Sequence, residues 1–330
     1  MKLTTLTTAI IVATIPMTGA FAAALDRSGQ SISAFLQPGN YFEAGISVLD
    51  PTVSGTANAN GSTLADMGDD YYFPSAALKL QVTDHFSFGL LYDQPFGADA
   101  TYSLTDPALS VTGEGLFRNT TESTAVEVKT QNLSMILGFQ PTENWNIYGG
   151  GVYQTVKGDV QLRGLAYGST TALGQYNANM KEDGAAGWLA GFAYQIPEIA
   201  LKASATYRSK IKHDAATNEY GTSAVLRGNF NTVSSTEIET PQSVNLDFQS
   251  GIMADTVAFA NVRWVNWEDF SIRPSTFGAA ANTIGLLGQG PIGGFDLVGY
   301  TDDQWSATVG VGRKLSEQWA GNVSVGWDSG

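Results

Sequence analysis

The sequence predicts an all-β fold, and more specifically a transmembrane antiparallel β-barrel. Three observations support this prediction. Apolar and polar residues alternate with a period of two through most of the chain, short and long connections alternate strictly between the alternating segments, and the N-terminus resembles an export signal. Outside the N-terminus, no apolar run approaches the roughly 20 residues of a spanning helix.

Residues 1–24 have the features of a secretory signal peptide. Lys2 precedes a short apolar stretch at 9–15, and the small residues at 20–24 supply an A-x-A cleavage site. The alternative is a short buried helix, which Pro16 and Gly19 disfavour. We therefore expect an exported protein with a short N-terminal hatch at 25–40 and a barrel at 41–330.

About eleven segments have the strand period. In the clearest of them, Trp305–Arg313, Trp, Ala and Val alternate with Ser, Thr and Gly. The others are 42–48, 76–82, 86–92, 133–139, 145–153, 188–196, 199–208, 244–248, 257–267 and 319–327. No amphipathic helix of normal length competes with them. A soluble β-sandwich also alternates, so the period alone predicts only an all-β protein.

The connections favour the barrel over the sandwich. Short turns such as 83–85 and 316–317 alternate with long loops at about 49–73, 97–122, 164–183, 212–238 and 273–302. This pattern is typical of outer-membrane barrels. Aromatic residues recur at both ends of the segments, as expected for two interfacial girdles. They are Phe42, Phe86, Phe139, Trp145, Tyr194 and Trp319 at the turn ends, and Tyr92, Trp188, Tyr207, Trp264, Trp305 and Trp327 at the loop ends.

Composition excludes several functions. The net charge is −14, which disfavours nucleic acid as a partner. The chain has no Cys and two His, so we expect no metal site, no cofactor and no thiol chemistry. Neither His85, in a short turn, nor His213, in a long loop, is placed for a catalytic triad, and we do not expect an enzyme. The number of predicted strands, about eleven, is odd, whereas bacterial single-chain barrels have an even number of strands. We therefore expect a chain truncated at its C-terminus.

Several stretches resemble the FadL-type outer-membrane transporters of long-chain fatty acids and hydrocarbons. They are Gly187–Tyr194 with Ala205–Ile211, Thr240–Val244 with Val262–Trp267, Tyr300–Trp305, and Tyr92–Ala98. The resemblance covers the chain from about residue 25 to its end. It implies a monomeric barrel of fourteen strands, of which about eleven are present, and passive transport of long-chain fatty acids or aromatic hydrocarbons. It also implies substrate capture by the outer loops, an internal apolar pocket, and a lateral opening at a kink in the third strand.

The sequence departs from this family at its start. The segment 25–40 is short and lacks the Asn-Pro-Ala motif that family members commonly carry. The residues Pro95, Phe96 and Gly97 follow the third predicted strand, where Pro is able to break the ladder and produce the kink. The alternative is that Pro95 simply ends this strand and begins the loop.

Alternation also predicts which side chains face the lumen. Arg208 and Arg263 point inward and are the preferred cations for a fatty carboxylate. The alternative is a structural role in an internal polar network near Glu43 or Asp247. The apolar side chains predicted to contact substrate lie in the outer loops, at Leu116, Phe117, Leu165 and Phe295.

Three other functions compete with hydrophobic transport. The first is a general porin for small polar solutes, the second an outer-membrane lipid hydrolase, and the third a structural or adhesin barrel. We expect a monomer in the outer membrane of a Gram-negative bacterium, in contact with lipid and lipopolysaccharide and with a hydrophobic small molecule as substrate.

Overall fold

The structure, a computed structural model, describes residues 25–57, 61–168, 172–316 and 318–329. The signal peptide predicted at 1–24 lies outside the described residues. The strands, in chain order, are β1 (Tyr41–Leu49), β2 (Gly55–Thr56), β3 (Thr63–Leu64), β4 (Tyr71–Gln81), β5 (Phe86–Asp93), β6 (Gly97–Thr101), β7 (Ala125–Thr142), β8 (Trp145–Leu162), β9 (Gln175–Ile196), β10 (Leu201–Arg208), β11 (Ile211–Ser223), β12 (Gly228–Thr240), β13 (Ser243–Met253), β14 (Thr256–Val265), β15 (Ser271–Ile272), β16 (Val298–Gly299), β17 (Gln304–Lys314) and β18 (Ala320–Asp328). One α-helix, α1, spans Ser275–Leu286, and two short 3-10 turns span Leu165–Tyr167 and Pro197–Ile199.

One large antiparallel sheet contains all eleven predicted strands. Its order is β1-β4-β5-β7-β8-β9-β10-β13-β14-β17-β18, so each of these strands pairs with its sequence neighbours among them. Short turns join them at one end of the sheet, the turn end, and long segments join them at the other, the loop end. Over the described ranges, β1 and β18 are the edges of this sheet and do not pair with each other.

The outer face of the sheet is apolar where it meets lipid. In β7 the exposed side chains are Leu133, Met135, Leu137 and Phe139, and the residues between them are buried. Towards the loop end the outward positions of β7 become polar, at Lys129 and Gln131. The membrane boundary on the loop side therefore crosses β7 near residue 132.

All five predicted loops contain some regular structure, and two of them differ most from the prediction. The segment predicted as the loop 212–238 is the hairpin β11–β12, and β11 pairs with the loop end of β9. Its buried positions include His213, Thr217 and Glu219, so the strand period is present there without an apolar set to reveal it. The loop predicted at 273–302 contains α1, which contradicts the expectation that no helix of normal length occurs.

Helix α1 lacks the usual local signals. Its N-cap is Pro274, with no side-chain cap, and small residues fill its interior. No helix within the described ranges is both long enough and apolar enough to cross a membrane.

A chain of side-chain hydrogen bonds crosses four strands at the loop end. Tyr207 donates to Gln242 over 2.8 Å, and Gln242 donates to Asn266 over 3.2 Å. Asp303 accepts from both Asn266 (2.8 Å) and the indole of Trp264 (2.9 Å). These residues come from the stretches that carry the family resemblance, and they join the ends of β10, β13, β14 and β17 into one rim.

Candidate functional site

Residues 25–37 of the segment 25–40, which was predicted to form the hatch, lie inside the sheet and fill its lumen, and we call them the hatch from here on. Side chains of the wall donate hydrogen bonds to its carbonyl groups, which otherwise have no strand partner in the lumen. The donor and acceptor pairs are Lys79 with Gln37 (2.5 Å), Lys202 with Leu36 (2.9 Å), Arg208 with Gln30 (3.0 Å) and Asn245 with Gly29 (2.7 Å). The inward polar residues predicted from alternation therefore serve first to hold the hatch.

Arg263 is fully committed to this network. Its Nε donates to Asp26 over 2.6 Å in a buried ion pair. Its other two nitrogens donate to Asn245 (2.6 Å), Ser243 (3.3 Å) and Gln30 (3.1 Å). The carboxylate partner is thus Asp26 of the hatch rather than Glu43 or Asp247. Each guanidinium nitrogen has a partner. This is the arrangement expected if Arg263 belongs to an internal polar network rather than to a binding site for a fatty carboxylate.

Arg208 is equally buried and only partly committed. One nitrogen, Nη2, donates to the carbonyl of Gln30. Its Nε and Nη1 have no hydrogen-bond partner in the described part of the chain. Arg208 borders a cavity of about 280 Å³ between the hatch and strands β1, β4 and β5, which also exposes Asp93 and Tyr41. It therefore retains two buried donors for a ligand.

A phenyl ring fixes the position of the hatch. Phe35 is completely buried and packs edge-on against Tyr148, with the ring centroids 5.6 Å apart. It lies directly against Gly89 of β5 and Gly138 of β7, where any Cβ atom would overlap the ring. These glycines form a recess in the wall that only the absence of a side chain makes possible.

Above the hatch, towards the loop end, lies an apolar cluster that we call the upper chamber. Trp267 is at its base and is 1% exposed. Its indole packs edge-on against Phe96, Phe270 and Tyr300, at centroid distances of 5.3, 5.0 and 5.2 Å. Buried apolar residues from β8, β9, β12 and α1 complete the cluster. The inner face of a water-filled porin is polar, so this lining is unlike that of a porin.

The outer-loop residues proposed for substrate contact fall into two groups. Leu116, Phe117 and Leu165 come together, because the 3-10 turn at Leu165–Tyr167 hydrogen-bonds to the backbone of residues 115–116. Phe117 stacks on Tyr102 at 4.3 Å. Phe295 lies elsewhere, against Phe277 of α1 at 5.6 Å, and remains 36% exposed.

Glu219 of β11 fixes α1 over the upper chamber. This fully buried carboxylate accepts from the backbone N–H groups of Thr276 (2.9 Å) and Phe277 (2.7 Å) and from the Tyr176 hydroxyl (2.8 Å). A carboxylate at a helix N-terminus satisfies free N–H groups and interacts favourably with the helix dipole. The helix thus takes its cap from a strand 56 residues away, which local sequence signals do not show.

The third strand of the sheet is interrupted at Pro95 and Phe96. β5 pairs with β7 as far as Asp93 with Asn132, and β6 resumes the pairing at Gly97 with Lys129. Three residues, 94–96, therefore stand against two on β7, which is a bulge. The hydroxyl of Thr130 bridges it, because it donates to the Phe96 carbonyl (2.7 Å) and accepts from the Phe96 N–H (2.9 Å).

On its other side the interrupted strand separates from β4. The two strands pair up to Ala76 with Tyr92, and an isolated bridge joins Gly68 to Ala100 beyond the gap. Within the described chain no strand pairing joins 70–75 to 93–98, and we call this gap the window. The hatch takes the vacant place: Arg27 N–H donates to Pro95 O (2.7 Å) and Gly97 N–H donates to Leu25 O (2.8 Å).

Comparison with known proteins identifies this architecture. The sequence model of the family described as outer membrane protein transport protein (OMPP1/FadL/TodX) matches residues 22–320. The chain belongs to this family. No curated protein is similar enough in sequence to count as a match.

Solved structures of similar fold include members of the FadL/TodX family. The toluene transporter TbuX of Ralstonia pickettii has a TM-score of 0.58 at 11% identity, over 94% of this chain and 84% of that one. The Pseudomonas putida toluene transporter TodX has 0.55 at 11%, over 88% and 73%. A Pseudomonas aeruginosa FadL homologue has 0.53 at 15%, over 88% and 70%. The protein is accordingly an outer-membrane β-barrel of a transport family rather than of an enzyme family.

Within this FadL/TodX framework the structure adds residues that the sequence did not single out. Thr130 and Glu219 are polar residues at inward positions of strands, and nothing in the sequence pairs them with the bulge or with α1. Trp267 is the last residue of the stretch Val262–Trp267 that carries the family resemblance, and that position was the available signal. Arg27 is one of few charges in the hatch, and its partners are distant in sequence.

Proposed function

We propose that this FadL/TodX-family protein carries hydrophobic compounds, long-chain fatty acids or aromatic hydrocarbons, passively across the outer membrane. The observation that carries the proposal is the upper chamber. It is a packed cluster of apolar and aromatic side chains inside the barrel, and it includes Leu25 of the hatch and Phe96 at the window. The similar solved structures include two named as toluene transporters. Apolar lining favours oily cargo, because its transfer out of water is favourable.

Substrate capture is assigned to the loop end. Leu116, Phe117 and Leu165, all half-buried, form one apolar group, and Phe295 belongs to a second group with exposed Leu286 and Ile292 near the end of α1. Exposed apolar residues grouped at one end of the barrel are suited to binding hydrophobic molecules from water. From there the route leads past α1 into the upper chamber.

The proposed exit is the window beside Pro95, Phe96 and Gly97. Phe96 lines the base of the upper chamber through its contact with Trp267, and the same residue belongs to the interrupted ladder. A molecule that displaces Leu25–Ser28 from this ladder passes from the chamber to the side of the barrel. Because Gly97 pairs with Lys129, this lateral release takes place at the loop-side boundary of the membrane, and it requires no energy source at the outer membrane.

Arg208 is the proposed contact for a carboxylate. Its Nε and Nη1 have no hydrogen-bond partner, so either nitrogen can donate a charge-assisted hydrogen bond to a carboxylate. Arg263 lacks that capacity because Asp26, Asn245 and Gln30 already occupy it. We therefore separate the two candidate cations: Arg208 for ligand, and Arg263 for the hatch. We further propose that the protein acts as a monomer surrounded by outer-membrane lipid and lipopolysaccharide.

The test is uptake of radiolabelled oleate and toluene into cells that lack their own transporters, with and without this protein. We expect both to enter faster with the protein present. Arg208→Gln is expected to slow oleate by roughly ten-fold, since a charged hydrogen bond contributes about 1.5–3 kcal/mol, and to leave toluene nearly unchanged. Equal uptake with and without the protein would refute the proposal.

A general porin is the alternative function. It requires a continuous water-filled path, whereas the hatch and the upper chamber fill this lumen. Planar-bilayer recordings separate the two functions. A steady conductance from the wild-type protein would support the porin, and a silent bilayer together with hydrocarbon uptake supports hydrophobic transport.

A further inference from the structure

Arg27 lies inside the window. Its side chain is 6% exposed, and its backbone N–H is held by Pro95. The guanidinium carbon lies 3.7 Å from the centroid of the Tyr71 ring on β4. On the other strand, a Cβ atom at Gly97 would lie 2.5 Å from the same guanidinium carbon. The guanidinium is therefore packed between Tyr71 of β4 and Gly97 of β6.

Tyr71 is the main partner of the guanidinium, through its ring and through a hydrogen-bond contact with its hydroxyl group. In the described structure, Nε and Nη2 of Arg27 are buried without a hydrogen-bond partner. Asp99 and Glu127 interact with the side chain only electrostatically. What holds the guanidinium is Tyr71, with the cation–π contact to its aromatic face, and the absence of a side chain at Gly97. Such a contact contributes little enough for thermal motion to break it.

We propose that Arg27 is the closing element of the lateral opening, and that the slot it occupies admits flat rings in preference to puckered ones. The inference rests on the proposed function, because it assumes that hydrophobic molecules leave by the window. The slot has an aromatic ring as one wall and bare backbone as the other, and a planar group fills it. When Arg27 swings out, an aromatic ring takes its place against Tyr71. A saturated ring of the same carbon number is thicker and lacks the stacking contact.

The first experiment compares toluene with methylcyclohexane, which have the same carbon skeleton but a flat and a puckered ring. Purified protein in lipid vesicles is assayed for entry of each compound. Arg27→Ala is expected to accelerate both by roughly ten-fold, because the cation–π closure is lost. Tyr71→Leu is expected to lower the toluene to methylcyclohexane rate ratio about five-fold, whereas Tyr71→Phe preserves it. Tyr72→Leu, on the outward face of the same strand, is the matched control.

The second experiment tests closure without any substrate, and it uses the absence of native Cys. Gly97→Cys is combined with Arg27→Ala and labelled with a small membrane-permeant thiol reagent. We expect labelling about ten-fold faster than for Arg27→Lys with Gly97→Cys, in which a cation remains at position 27. Heat-modifiable migration in gels establishes that each variant is folded.

These outcomes separate the two proposals. Equal labelling of Gly97→Cys in the Arg27→Ala and Arg27→Lys variants would overturn the closing role, whatever the cargo is. An unchanged rate ratio in Tyr71→Leu would overturn the selectivity of the slot. If wild-type vesicles take up neither hydrocarbon while labelling still depends on Arg27, hydrophobic transport fails and the closing role stands.

Discussion

The hatch region and the upper chamber occupy the same lumen and are held together by opposite chemistry. The hatch is held by buried charges and amides of the wall, with Arg263 and Asp26 as its central pair. The upper chamber is held by aromatic packing around Trp267, and α1 covers it. Breaking a directional polar network leaves orphaned charges, whereas loosening an apolar cluster lets it repack. We therefore expect the hatch to behave as a rigid base and the upper chamber as the more adaptable part of the lumen.

The strongest way to break this comparison is Arg263→Met. The substitution leaves Asp26 buried without its partner, and we expect hatch docking to weaken by about 4 kcal/mol. Undocking should appear as ion conductance in planar bilayers.

The double variant Asp26→Asn with Arg263→Met is expected to have a milder effect on hatch docking, because no charge is left buried without a partner. Arg208→Met, which removes one hydrogen bond to the hatch, should weaken docking by only about 1 kcal/mol. Equal conductance from both single variants would contradict the distinction between these arginines.

The corresponding change in the upper chamber is Trp267→Ala. Loss of this buried indole is expected to destabilise the loop end by about 3 kcal/mol in chemical unfolding. Because the hatch network is untouched, no conductance should accompany the loss. The enlarged chamber should also favour naphthalene over toluene in uptake assays. Trp305→Ala, which faces lipid, is the control, and a conductance from Trp267→Ala would show that the two regions are not independent.

A smaller effect on stability is expected at Glu219, the buried carboxylate beside the upper chamber. Glu219→Ala removes the cap of α1 and leaves two N–H groups and the Tyr176 hydroxyl unpaired, so α1 should loosen by roughly 2 kcal/mol. Hydrogen exchange of residues 275–286 measures this change. Glu237→Ala breaks only an exposed pair with Lys212 and should leave exchange unaltered. Unchanged protection of α1 in Glu219→Ala would show that packing alone holds the helix.

The smallest expected effect is a pH dependence at the rim. Burial raises the pKa of Asp303, but hydrogen bonds from Asn266, Trp264 and the Glu268 N–H outweigh it and hold the pKa below its usual value of 3.8. The contribution of Asp303 is therefore complete above pH 3.8 and is lost as the pH falls through the lowered pKa. Trp264 fluorescence should stay constant from neutral pH to about pH 4 and change below it. Asp303→Asn should abolish this change, and Asp302→Asn should not.

The sequence predicted the strands well and the occupants of the lumen poorly, for a physical reason. Lipid imposes a strict alternation on each strand it touches, so all eleven strands are legible, including Phe86–Asp93 and Trp305–Arg313. Inside the lumen no such rule applies. The hairpin β11–β12 buries the polar residues Thr217 and Glu219, and α1 is capped by a residue distant in sequence. For these reasons the sequence pattern predicted loops at both places.

The sequence likewise predicted which side chains face the lumen, but it did not predict their hydrogen-bond partners. Alternation places Arg208 and Arg263 in the lumen, but Arg263 pairs with Asp26 across 237 residues of sequence. Only the path of the hatch decides which arginine is saturated. The same holds for Arg27, whose neighbours Tyr71 and Gly97 lie on two strands that part from each other.

The recess for Phe35 bears on how the barrel assembles. Gly89 pairs with Ile136, and Gly138 pairs with Ser87, so both glycines face the ring in one strand register alone. A shift of β5 against β7 by one residue would turn one of these positions outward and bring a side chain into the space of the ring. The Phe35 ring therefore fits only one register of β5 against β7, so that docking of the hatch and correct alignment of these two strands favour each other.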